Sequence, residues 1–146
     1  MSLTKFLLGV VILFVILMFF VVIYSSPPIA PATSAKTKVI HAQTIEYISA
    51  EIQGCALGEI TAMDGNLTCS KLNAANVVVA AVKTLTDKNP YSIKNNAVRI
   101  STSNTKDEDV GFVNLSASDS NVIVKSCHKK SCSDKNNRLS KTIEIK

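Results

Sequence analysis

The chain has 146 residues, 47% of them hydrophobic, a net charge of +5 and no tryptophan. That length holds one modest domain once an apolar N-terminal run is set aside, and it is too short for two. Sparse aromatics argue against a cofactor pocket or a base-stacking platform, and the mild basic bias permits attraction to acidic polymers without requiring it.

The first predicted element is Phe6 to Tyr24, nineteen residues without a charge. As a helix such a run spans roughly 28 Å, about one bilayer core. In lipid the backbone has no other hydrogen-bond partner, so the β-branched residues become helical. A secretory signal core runs about 7–15 residues. The longer run therefore predicts a retained membrane anchor, although Thr33-Ser34-Ala35 and Ala30-Pro31-Ala32 are cleavage-like patches of small residues. Lys5 on one side nearly balances Lys36 and Lys38 on the other, so charge alone leaves the orientation open. All four cysteines, Cys55, Cys69, Cys127 and Cys132, follow the anchor, and an even number in a small exported domain reads as two disulfides. They place the C-terminal domain in an oxidising, extracytoplasmic compartment. Pairing 55–69 and 127–132 is the simplest of the three connectivities. A loop of about 15 residues is worth roughly 3 kcal/mol in the chain-entropy model.

Prolines at 27, 28 and 31 predict a break or kink at the membrane surface, dividing the chain into an anchor over 1–32 and a head domain over 33–146. Thr33 or Ser34 is placed to cap a second helix running to about Gln53. Its apolar stripe is Ala42, Ile45, Ile48 and Ile52, with Gly54 as the stop. This helix is expected to be the spine on which a sheet packs. Asp64-Gly65-Asn66 reads as a tight turn; the ligand positions a calcium loop would need are missing. Ser70 opens a helix to about Thr86, with Leu72, Ala75, Val79, Val82 and Leu85 at helical spacing. Asp87 to Tyr91 is a turn.

From Ala97 the period becomes two. Residues 97–103, 110–118, 121–127 and 139–146 read as strands, one face buried and one wet, joined by short polar links. An antiparallel meander follows. The expected fold class is α+β: a long N-terminal helix, membrane segment plus amphipathic continuation, packed on a four-stranded antiparallel sheet.

That order resembles the type IV pilins and pseudopilins. The resemblance aligns Phe6 with the family's first mature residue and Pro27 with its helix-kinking proline, and it sets Cys127–Cys132 near a C-terminal disulfide-bounded region. Lys5 stands where the family carries the glycine of its cleavage site, and Val10 stands where it carries an assembly glutamate at the fifth mature position. The resemblance implies a filament subunit whose apolar helix packs with copies of itself or with related subunits.

Catalytic candidates lack company. His41 has no cysteine or carboxylate at ligand spacing. His128 lies between Cys127 and Cys132, where a Cys-His-Cys metal site is conceivable, but exported thiols oxidise first. Asp107, Glu108 and Asp109 read as a solvated turn. Asn66-Leu67-Thr68 and Asn114-Leu115-Ser116 match the glycosylation pattern. No nucleophile elbow, phosphate loop or dinucleotide fingerprint occurs, so the reading is no enzyme, no cofactor and no metal. Lys125, Lys129, Lys130, Lys135, Arg138 and Lys141 cluster in sequence around the second cysteine pair. Such a cluster suits DNA or anionic glycans. Two functions result: a filament subunit, or a membrane-anchored extracytoplasmic domain that binds through this basic region without assembling.

Overall fold

The computed structural model describes residues 29–145, so the anchor run and the expectations at Phe6, Val10 and Pro27 lie outside the described residues. The fold is α+β. Helix α1 covers Ile29–Ala56 and leads through a hairpin of β1 (Thr61–Ala62) and β2 (Leu67–Thr68) to helix α2, Ala74–Thr84. A second hairpin, β3 (Lys88–Asn89) with β4 (Ser92–Asn96), precedes a four-stranded sheet. The sheet is built from β5 (Val98–Ile100), β6 (Val113–Ser118), β7 (Asn121–Cys127) and β8 (Arg138–Glu144), in that order.

Alternation along the central strands decides which face is covered. Val113 and Leu115 of β6, Val122 and Val124 of β7, and Ile143 of β8 point to one side and are buried. Both helices pack there, α1 against β6, β7 and β8, and α2 against β5, β6 and β7. Ile48 and Ile52 of α1 and Val77, Val78 and Ala81 of α2 close the core. The other sheet face carries Arg99, Asn114, Lys125, Arg138 and Ser140.

Several expectations need correction. The sheet is mixed, because β5 runs parallel to β6. A parallel neighbour needs a crossover of a dozen or more residues, and residues 101–112 supply it. Val110, Gly111 and Phe112, read as strand, are used in that crossover: the Gly111 amide donates to the Cys127 carbonyl at 2.8 Å and that of Phe112 to Asp109 at 3.1 Å. Gly111 has φ +79°, and a Cβ there would meet the Asn89 side-chain oxygen at 2.1 Å, so both backbone and space demand glycine.

Helix α1 passes through Thr33, Ser34 and Gly54, so none of these bounds it. Its inward stripe is Thr37, Ile40, His41, Thr44, Ile48 and Ile52, while Ala42 is exposed. In α2 the cap is Asn73, whose side chain accepts from the Asn76 amide at 2.9 Å, and not Ser70. There Val77 and Val78 face inward, and Ala75 and Val79 outward. Burial of the valines against the sheet overrides their modest helix propensity. Asp87 to Tyr91 is part of a hairpin rather than a bare turn, because β4 is polar and mostly exposed and shows no alternation in sequence.

The tight turn at 63–66 is present: the Gly65 amide donates to Ala62 at 3.1 Å and that of Asn66 to Met63 at 2.9 Å. Two disulfides form, Cys55–Cys69 and Cys127–Cys132, with Cα atoms 5.2 and 5.6 Å apart.

Candidate functional site

Cys127 ends β7, and the chain turns through Lys129 and Lys130 before Cys132 closes the ring; both cysteines are fully buried. The turn is held from several sides. The Asp107 carboxylate accepts from the Cys132 amide at 2.8 Å, and the Asn137 side-chain amide donates to the carbonyls of Lys130 and Ser131 at 2.9 and 3.1 Å. The Tyr91 hydroxyl donates to the His128 carbonyl at 2.9 Å.

Two histidines join this end of the sheet to α1. His128 Nε2 lies 3.2 Å from the Asn136 carbonyl oxygen, which can only accept, so Nε2 carries the proton and Nδ1 accepts from the Ser34 hydroxyl at 2.9 Å. Two turns further along the helix, His41 Nδ1 and the Ser126 hydroxyl are 3.0 Å apart in the interior. Burial lowers the pKa of His41. Burial also lowers that of His128, helped by the charges of Lys38 and Lys129 and opposed by the hydrogen bond to Asn136. With both cysteines of the ring oxidised, no thiolate stands beside His128. Among the described residues no group of three or more His, Cys, Asp or Glu could hold a metal ion. Among the described residues no carboxylate is hydrogen-bonded to either imidazole, and the geometry is that of a brace between helix and sheet.

The acidic triplet is not uniformly solvated, as its sequence implied. Asp109 is 2% exposed. It accepts from the Arg99 guanidinium at 2.7 Å, the Ser103 hydroxyl at 2.7 Å and the Lys106 amide at 3.0 Å. Arg99 also donates through Nε to Asn114 at 2.7 Å and lies 3.7 Å from the Phe112 ring centroid. Polar triplets read as loops in sequence, and nothing local announced that Arg99 would bury one of the three. Asn114, in one of the two glycosylation patterns, is fully buried and cannot be reached in the folded domain.

The six basic residues divide. Lys125, Lys135 and Arg138 line an open groove of about 460 Å³ on the sheet face turned away from the helices, whose opposite wall is residues 102–105 of the crossover. The register explains the grouping, since Lys125 pairs with Ser140 and Cys127 with Arg138, and all four point away from the helices. Lys141 pairs with Val124 and so projects from the helix-bearing face. Lys129 and Lys130 sit exposed on the disulfide ring, outside the groove. The hydroxyls of the wall had no signal in the sequence.

No family model, curated protein or solved structure matches the chain. Among the described residues no helix is long and apolar enough to cross a membrane, and the predicted anchor lies outside them.

Proposed function

We propose that this chain is a structural subunit of a pilin-like filament, of the pilus or secretion-pseudopilus type. Its apolar run at 6–24 lies in the membrane or filament core, and its disulfide-bonded head is displayed outside the cell. The observation that carries this reading is the apolar surface left open along and beyond α1. Val39 on its outward face is 53% exposed, and Leu57 and Ile60, just past its end, are 79% and 81% exposed. Leu57 and Ile60 stand three positions apart in the loop that follows α1, and neighbouring exposed apolar side chains favour contact with another protein surface. An array of copies aligned through their N-terminal helices brings these positions against neighbouring heads, whereas the face turned to the sheet is already filled. The departures at Lys5 and Val10 mean that association rests on helix and head packing, not on a glutamate at the fifth mature position.

The test is assembly in the native membrane. Wild-type chain is expected to form filaments visible by electron microscopy. Leu57→Asp with Ile60→Asp is expected to abolish them while far-ultraviolet circular dichroism and the absence of free thiols stay unchanged. Filaments from the double variant, or wild-type chain that stays monomeric in the membrane fraction with no filaments, would overturn the reading. A second reading, a single anchored head that binds without assembling, draws on the groove beside Lys125 and predicts that monomeric result.

A further inference from the structure

We infer that the groove between β7–β8 and the 102–105 segment binds one strand of an anionic polysaccharide, with Lys125, Lys135 and Arg138 taking its sulfate or carboxylate groups. This holds whether the head is displayed on a filament or by a single anchor.

Three features carry it. The first is uncompensated charge. The ion pairs among the described residues are Arg99–Asp109 and Lys106–Glu108, so none of the three groove cations has a carboxylate partner there, and no carboxylate lines the groove. The nearest acid in sequence, Asp134, has its carboxylate accepting from the Asn136 amide at 2.9 Å.

The second is a wall that is already built. Buried Asp109 fixes Ser103, the Asn104 side chain donates to the Ser126 carbonyl at 3.4 Å, and Lys125 Nζ donates to the Thr102 carbonyl at 3.3 Å. A wall held in place before the ligand arrives lowers the ordering cost of binding. Arg99 pairs with Asp109 at 2.7 Å, so the carboxylate behind the wall does not cancel the groove's own charge.

The third is the match of size and lining. A volume of 460 Å³ falls within the range of about 300–1,000 Å³ typical of ligand clefts. The lining offers hydroxyls from Thr102, Ser103 and Thr105 on the wall facing the cations and from Ser140 on the strand beside them. A sulfated or uronic-acid glycan presents both anionic groups and hydroxyls to such a lining. Single-stranded nucleic acid is disfavoured because the groove holds no aromatic side chain on which a base could stack. A duplex is too broad to enter, so it would meet only the rim.

The experiment uses purified full chain in detergent micelles and a heparin-derived hexasaccharide, titrated at low and at physiological salt. Binding is expected at low salt and weakening as salt rises, because exposed charges are screened. Lys135→Ala with Arg138→Ala is expected to weaken binding by at least about tenfold, the equivalent of losing one charge-assisted contact. Lys129→Ala, Lys130→Ala and Lys141→Ala together remove more charge but lie outside the groove, and are expected to change affinity by less than about twofold, since they make no contact with a strand held in it. The inference is overturned by no heparin binding at low salt, by an equal loss in the two sets of variants, or by tighter binding of a 20-base-pair DNA duplex than of heparin. None of these readouts depends on filaments, so this inference and the assembly reading can fail separately.

Discussion

The two halves of α1 meet the same sheet by different chemistry. The near, N-terminal half faces inward with Thr37, His41 and Thr44 around a single isoleucine, Ile40, and is joined to the sheet's end through Ser34–His128 and His41–Ser126. The far half faces inward with Ile48 and Ile52, and is tied at its end by Cys55 to Cys69. Apolar contacts act without directional demands and scale with buried area. Hydrogen bonds contribute less net energy but fix position, because a misplaced buried donor is costly. Stability therefore belongs mainly to the far half, and the setting of the helix on the sheet mainly to the near half.

The strongest way to break this contrast is Ile48→Ala. Ile48 is fully buried at the centre of the far half. Its truncation is expected to cost about 2–5 kcal/mol, transfer loss plus residual cavity, read as a lower midpoint in urea denaturation of the full chain in detergent. A loss under about 1 kcal/mol, the size of an ordinary hydrogen bond, would show that the far half is not the energetic centre. Next is removal of the covalent tie with Cys55→Ser and Cys69→Ser. The disulfide closes a sequence separation of 14, and its loss is expected to cost about 3 kcal/mol, with Cys127–Cys132 still formed by thiol titration.

The same contrast explains what the sequence disclosed. Strands β7 and β8 were legible because Val122, Val124 and Ile143 alternate with polar residues and turn signals flank them. The second helix was legible in outline, though its inward side lay one position away from the apolar count. The stripe on α1 was misplaced at its near half, because three of the four positions that face the sheet there, Thr37, His41 and Thr44 beside Ile40, are polar. A search for apolar spacing took Ala42 instead. The parallel pairing of β5 was hidden for a different reason: 101–112 looks like a polar hairpin link, and its role as crossover depends on Asp109 meeting Arg99 and on Gly111 reaching Cys127. The basic region was visible as a cluster along the chain. Its division into groove, ring and opposite face required the β7–β8 register. Lys141 and Lys125 look equivalent in sequence and project from opposite sides of the sheet.

The finest test separates the histidines of the near half from everything else. In the folded domain burial lowers the pKa of both His41 and His128 below the ordinary 6.5, so between those folded values and 6.5 the unfolded chain binds more protons. Stability from these two groups is therefore complete above pH 6.5 and is lost as pH falls through and below it. Each can contribute a slope of at most about 1.4 kcal/mol per pH unit. The near half is expected to feel this first, because a proton on His128 Nδ1 turns the acceptor of the Ser34 hydroxyl into a donor, and the adjacent Lys38 and Lys129 oppose the new charge. Urea midpoints measured from pH 7.5 down to 5 are expected to fall for the wild-type chain and to flatten in His41→Gln with His128→Gln, where no proton can be taken up. Because the comparison is between slopes, the lower absolute stability of the double variant does not obscure it. A double variant with the wild-type slope would move the acid sensitivity elsewhere in the head and leave the two imidazoles as neutral spacers between helix and sheet.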